Sequence, residues 1–361
     1  MFKRSLTKPD GRNLYLYSRT EISEAIVPTN PKSDGSRGEP HLRWHPLRGE
    51  WVAYASHRQD RTFLPPKDYS PLAVTRSDEF PTEMPAGDYD VAVFENLFPS
   101  LNLSSATAPP LFVPTQPARG ICEVVVFTQD PDASLGGLPL DRIQLVLEVF
   151  ADRARALGET GQVKYVLPFE NRGVEMGVTL HHPHGQIYSY AEVPPVPAQM
   201  LGEMKKFWDK NQRGLFADLL ASEIKDGRRM IAREGGVASF VPVCARYPYE
   251  TWIAPERPVS YLHELRPEEF QALARVLKSV LLKHEGLWQR PQPYLMVLYQ
   301  APYDGNAHPE AHLHFQIYPP YRTKDRLKYL AGTELGAGFY INDSLPEEKA
   351  SELRAVAVRL E

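Results

Sequence analysis

His182-Pro183-His184-Gly185-Gln186-Ile187-Tyr188 and His312-Leu313-His314-Phe315-Gln316-Ile317-Tyr318 are one pattern written twice, 130 residues apart (314 minus 184). A single heptad could coincide by chance, but its surroundings repeat as well. Upstream of the first copy lie a β-rich stretch, Cys122 to Phe127, then LDRIQLVLEVFADRARAL, then VKYVLPFEN. In the middle stretch Ile143, Val146, Leu147, Phe150 and Ala151 recur at helical spacing. Upstream of the second copy lie ETWIA (Glu250 to Ala254), PEEFQALARVLKSVLLKH and YLMVLYQAP. That second helical stretch opens on Pro267, a residue favoured at the first helical position. Strand, helix, strand, strand recurring at one offset predicts a duplicated module. Neighbouring strands joined through loops predict an α+β fold, an antiparallel sheet with helices packed on one face. The proline-rich stretch from Pro194 to Gln199 predicts the boundary, dividing the chain into an N-terminal module (1–195) and a C-terminal one (196–361).

Outside the repeat, Glu50 to Ser56 and Asp90 to Phe94 alternate and read as strands. Residues 1 to 40 are polar, with Pro28, Pro31, Gly35 and Gly38 close together, and read as an irregular arm. The formal net charge of −4 calls for no nucleic acid or acidic membrane. No apolar run approaches the roughly 18 residues of a membrane span. MFKRSLTKPDGRN has basic residues but no apolar core behind them, so no signal peptide is expected. The two cysteines, Cys122 and Cys244, form no CxxC pair. They predict neither a disulfide framework nor a thiolate metal site, and they fit a reducing cytoplasm.

Alternation within a strand would place His182, His184 and Gln186 on one face. Gly185 between them would let a ligand approach the backbone. Such a stripe can bind a metal, carry a nucleophilic imidazole, or be structural, with histidines paired to carbonyls. The stripe alone leaves all three open. Its context favours a phosphoester: the loop Glu170-Asn171-Arg172-Gly173 through Met176-Gly177-Val178-Thr179 supplies amides and hydroxyls. Arg58 and Arg61 could grip phosphate in a fork, or be plain surface charge.

These residues resemble the galactose-1-phosphate uridylyltransferase family of the histidine-triad superfamily, from His41 to Leu345. The resemblance implies two fused histidine-triad modules. It implies that His184 is the nucleophile and that Gln186 holds the nucleotidyl group on it. His45-Pro46-Leu47, Trp51, His57, Arg58 and Arg61 resemble the segment that contacts the nucleotide. Phe94, Asn96 and Phe98 resemble the base- and ribose-binding stretch, and Asn171, Gly177 and Thr179 fall where nucleotide and phosphates are held. Lys328, Tyr329, Gly332 and Glu334 resemble the sugar-phosphate segment, which in the family comes from the partner subunit, so a homodimer is implied. The implied reaction is exchange of UMP between UDP-glucose and galactose-1-phosphate by ping-pong through a uridylyl-histidine. The same histidine would serve a nucleotide-sugar phosphorylase of the ADP-glucose phosphorylase kind. A non-catalytic nucleotide-binding module is the reading from another class.

Departures from the family pattern carry an expectation of their own. Many members hold zinc where this chain has Ser70, Ala73, Pro131 and His182. Some hold iron where it has Met200, Tyr299, His314 and Gln316. One histidine in each set cannot hold a structural metal, so no metal cofactor is expected. Thr333 stands where the family has a tyrosine in the sugar segment, which leaves the hexose open.

Overall fold

The computed structural model describes residues 1–32, 38–60, 63–66 and 70–361. The N-terminal half holds β1 (Phe2–Thr7), β2 (Asn13–Ser18), β3 (His41–His45), β4 (Glu50–Tyr54), β5 (Val91–Glu95), β6 (Thr115–Pro117) and β7 (Gly120–Val126). There follow α1 (Leu140–Gly158), β8 (Tyr165–Arg172) and β9 (His184–Tyr190). The C-terminal half holds α2 (Pro195–Asn211), α3 (Leu215–Asp226), β10 (Met230–Glu234), β11 (Val237–Phe240), β12 (Thr251–Pro255) and α4 (Pro267–Gly286). It closes with β13 (Tyr294–Tyr299), β14 (His314–Tyr318), β15 (Tyr321–Thr323), β16 (Arg326–Leu327) and α5 (Pro346–Ala355).

Among the described residues, eleven strands form one sheet in the order β1-β2-β5-β7-β9-β8-β13-β14-β12-β11-β10. At its middle β8 pairs with β13, antiparallel, and Phe169 stands opposite Val297. Outward from that pair the order is β9, β7, β5 one way and β14, β12, β11 the other. The sheet therefore has a pseudo-two-fold axis between β8 and β13, and the repeat read in the sequence is a repeat in space.

Helices α1 and α4 lie side by side on one face and share a single core. Ile143, Val146, Leu147 and Phe150 of α1 and Val276, Leu277 and Leu281 of α4 are buried there with Ile187 and Ile317 of the sheet. Each such side chain contributes about 1.5–3 kcal/mol by leaving water. Pro267 opens α4 as expected. The Arg266 N–H ahead of it donates to the Glu269 carboxylate at 2.9 Å, as in the return half of a capping box.

Two expectations need correction. Helices occupy both faces, because α2 and α3 cover the opposite face over the C-terminal half. There Met204, Phe216 and Leu220 pack on Ala238, Phe240 and Ala254, apolar side chains that would otherwise face water. The N-terminal half of that face is only partly roofed. The small sheet β4-β3-β6 and its loops reach Cys122, Tyr188 and Tyr190 and leave the rest open. Residues 1 to 40 are also not simply an irregular arm. They begin with a hairpin, β1–β2, at the edge of the sheet. The turn is Lys8-Pro9-Asp10-Gly11, a Pro-Asp-Gly signal, with Gly11 at φ +83°. Leu14, Leu16 and Tyr17 of β2 are fully buried.

Candidate active site

On the open half of the sheet face lies a cavity of about 520 Å³. Its floor is a row of side chains in direct register across four strands: Phe94 on β5, Val124 on β7, Gln186 on β9 and Phe169 on β8. His184 and Tyr188 flank Gln186 along β9, since alternate residues share a face. The structure gathers His184, Gln186, Arg58, Phe94, Asn96, Phe98, Asn171, Gly177 and Thr179 around this one space. Arg61 lies outside the described residues. Tyr188, the last residue of the repeated heptad, lines the cavity too, as do Leu72, Glu83 and Lys32, to which no motif pointed.

Nδ1 of His184 lies 2.7 Å from the carbonyl oxygen of His182. A carbonyl can only accept, so Nδ1 carries the proton and Nε2 keeps its lone pair. Burial pushes the His184 imidazole below its usual pKa, only partly opposed by that hydrogen bond. The ring is therefore neutral at pH 7, with an unprotonated Nε2, and it lines the cavity.

The walls are fixed by short local bonds. Arg58 follows β4 in the turn Ser56–Asp60, and its Nη1 donates to the carbonyl of Phe98 at 2.6 Å. This anchors the guanidinium at the cavity, beside Tyr188. The Asn96 side chain accepts from the N–H of Phe98 at 2.8 Å, while the backbone N–H of Asn96 donates to the carbonyl of Cys122 at 2.8 Å. Gly177 ends a short turn, Val174–Met176, at φ +76°, where a side chain would be strained. Thr179 accepts the N–H of Leu64 at 2.8 Å through its carbonyl.

His182 does not join the stripe. β9 begins at His184, and the His182 ring is 2% exposed with Nε2 2.7 Å from the carbonyl of Thr128. Strand alternation does not extend to a residue outside the strand, so His182 supports His184 through its carbonyl. Gly185 likewise serves the other face. A Cβ there would come within 2.8 Å of Phe127 and 3.0 Å of the Phe169 carbonyl, so the glycine lets the core close rather than a ligand approach.

The second copy repeats the framework and lacks the space. Nδ1 of His314 bonds the carbonyl of His312 at 2.8 Å, and Nε2 of His312 bonds the carbonyl of Pro255 at 2.8 Å. But Phe216 of α3 stacks on His314 at 4.4 Å, and Tyr299 at 5.4 Å. The Gln316 amide caps Nε2 of His314 at 3.0 Å, and the Tyr318 hydroxyl donates to Gln316. About 10 Å³ of free volume is left beside His314, whose pKa burial pushes down to about 3. This row is a sealed core.

Neither metal position of the family fits the side chains present. At the first stand a hydroxyl that bonds the N–H of Leu72, a methyl, a proline and one imidazole tied to Thr128. At the second, His314 is enclosed by Phe216, Tyr299 and Gln316. Among the described residues, no three His, Cys, Asp or Glu side chains converge as a metal site would require.

Lys328, Tyr329, Gly332 and Glu334 stand apart from the cavity of their own chain. They follow β16 on an excursion in which Lys328 lies 3.4 Å from Glu334 and donates to the carbonyl of Ile341. Tyr329, Leu335, Phe339 and Leu345 on this excursion are 74%, 65%, 68% and 60% exposed. Among the described residues no helix is long and apolar enough to cross a membrane.

The sequence models for the N-terminal and C-terminal domains of galactose-1-phosphate uridyl transferase match residues 30–194 and 200–360. A galactose-1-phosphate uridylyltransferase of Thermotoga maritima is 37% identical, over 88% of this chain and 99% of its own. One from Streptomyces lividans is 32% identical, over 99% of this chain and 98% of its own. A solved uridylyltransferase structure superposes with a TM-score of 0.77 at 32% identity, over 88% of this chain and 98% of that one. An Arabidopsis thaliana ADP-glucose phosphorylase with bound ADP-glucose gives 0.68 at 24% identity, over 89% and 100%, a likeness of fold alone.

Proposed function

The chain belongs to the galactose-1-phosphate uridylyltransferase family, and from that premise we propose that it moves UMP from UDP-glucose to galactose-1-phosphate through a uridylyl group on Nε2 of His184. The observation that carries the reading is the fixed tautomer of His184 at the edge of a cavity that also presents Gln186 and Arg58. The Nε2 lone pair attacks the α-phosphorus of UDP-glucose. The N–P bond forms as the P–O bond breaks, and glucose-1-phosphate leaves with the electron pair. The ring then carries the positive charge, which the bond from Nδ1–H to the His182 carbonyl eases. A phosphate oxygen of galactose-1-phosphate attacks the same phosphorus, the N–P bond breaks, and UDP-galactose leaves a neutral imidazole behind. No proton has to be exchanged with the cavity in either half. Arg58, Gln186 and Arg61 offset charge on the phosphate oxygens in the transition state. Gln186 is a poor general base, which disfavours attack by water on the intermediate.

Intact-mass analysis after incubation with UDP-glucose tests this. One uridylyl group should appear, map to His184, and be cleared by galactose-1-phosphate. Absence of an adduct, or one formed from ADP-glucose and cleared by inorganic phosphate, overturns the assignment of activity or of substrates.

Three finer readings go with it. The enzyme uses no resident metal, because neither donor set suits one. Protein purified without added metal should carry far less than one zinc or iron per chain, and prolonged chelation should leave turnover unchanged. Near-stoichiometric zinc lost together with activity would refute this. The enzyme is a homodimer in which the partner's sugar-phosphate segment completes each cavity. The exposed apolar run from Tyr329 to Leu345 suits burial against a second copy. Two free cysteines, one buried and one exposed, suit the cytoplasm.

A further inference from the structure

Residues 1–29 lie outside the stretches that the two family models match. Two of their side chains nevertheless hold the wall of the cavity. Lys8 and Arg12 flank the turn of the β1–β2 hairpin and are 2% and 0% exposed. Cations buried this fully are tolerated only where carboxylates and hydrogen bonds meet them. Glu83, which lines the cavity, meets both. Nζ of Lys8 is 2.9 Å from Oε2, and the two Nη atoms of Arg12 are each 3.0 Å from one carboxylate oxygen. Lys8 also donates to the carbonyls of Thr29 at 2.7 Å and Glu83 at 2.8 Å. Arg12 donates to the carbonyl of Glu95 at 2.8 Å, next to Asn96 of the cavity. Nζ of Lys8 lies 5.1 Å from the centre of the Phe94 ring, an aromatic wall of the cavity.

The floor row gives this contact its meaning. Phe94 stands two strands from Gln186, about 10 Å away. With phosphorus at the His184 end, the ribose spans the interval and the base reaches Phe94. We propose that the N-terminal hairpin positions the base end of the cavity, with Lys8 and Arg12 holding Glu83 and the Phe94 ring in place before the nucleotide arrives. The inference rests on the cavity being the nucleotide site. Its benefit is preorganisation: a wall already fixed loses little freedom when a base packs on it. Lys8 is thus a positioning residue that touches no substrate.

The test uses the full chain with Lys8→Met, which keeps the unbranched stem, and Lys8→Arg, which keeps the charge. The two half-reactions are measured separately, as kcat/KM for UDP-glucose and for galactose-1-phosphate, beside the unfolding temperature. For Lys8→Met the UDP-glucose constant should fall about tenfold through KM, the scale of a desolvated cation–ring contact and its preorganisation. The galactose-1-phosphate constant should hold, and Lys8→Arg should recover most of the loss. An unchanged UDP-glucose constant, or an equal fall in both constants, overturns the proposal. Phe94→Leu leaves the ion pairs intact and should show the same donor-only loss even if Lys8→Met folds poorly. If it does not, Phe94 is no base wall and the proposal falls. A wild-type chain that takes no uridylyl group from UDP-glucose marks failure of the underlying reading instead, and that is seen before any variant is made.

Discussion

His184→Gly is expected to abolish both half-reactions, by about 10⁴-fold or more, the scale seen when a covalent nucleophile is removed. The fold should survive. The described side-chain bond of His184 is the one to the His182 carbonyl, and a glycine in the strand costs about 1 kcal/mol. Folding can be checked by the unfolding transition, and each half-reaction by isotope exchange between sugar phosphate and nucleotide sugar. The pH profile supplies a second check. In the proposed mechanism the neutral ring is the nucleophile, and burial lowers its pKa below the ordinary 6.5. The rate of adduct formation should therefore fall as the pH drops through a pKa under 6.5 and level off on the alkaline side of it. Turnover retained in the glycine variant, an adduct on another residue, or an acid limb at or above pH 7 would contradict the assignment.

Mixing two inactive variants should restore activity. His184→Ala damages the cavity and Lys328→Ala the sugar-phosphate segment, and the two residues lie apart in one chain. In a dimer with composite sites, a mixed pair holds one site with both residues intact. Free exchange makes half the dimers mixed, each with one good site of two, so recovery should approach about a quarter of normal activity. Two results defeat the idea. One is full activity from a chain that sediments as a monomer. The other is mixed dimers, verified by mass, with no recovered activity, which would put Lys328 in its own subunit's site or in none.

The duplicated framework was legible because helices α1 and α4 bury one stripe each, because β13 is a continuous apolar run, and because β9 and β14 carry the same His-x-Gln alternation. α2 and α3 were not legible. Pro194, Pro195 and Pro197 read as a linker, yet they sit at the start of α2, where a missing N–H costs nothing. The hairpin β1–β2 was within reach, since Pro-Asp-Gly between alternating stretches is a turn signal, but the prolines and glycines farther on obscured it. In the site, resemblance marked most of the residues that line the cavity, while their supports had no mark. Lys8 and Arg12 are distant in sequence from Glu83, and the three form no motif. The misreading of His182 has a local cause: spacing alone cannot tell that the strand begins two residues later. Nor can it tell that Phe216 stacks on His314, because the two copies look equally intact as strings.

The axis between β8 and β13 relates the halves as it would two identical subunits meeting by an isologous contact. Two products of one gene could not diverge from each other: any residue that filled one histidine row would fill both. Joined in a single reading frame, the rows inherit separately. Here Phe216 and Tyr299 fill the row at His314, and the row at His184 is accessible. A fused pair can thus hold one row closed for rigidity and leave its twin open to a ligand.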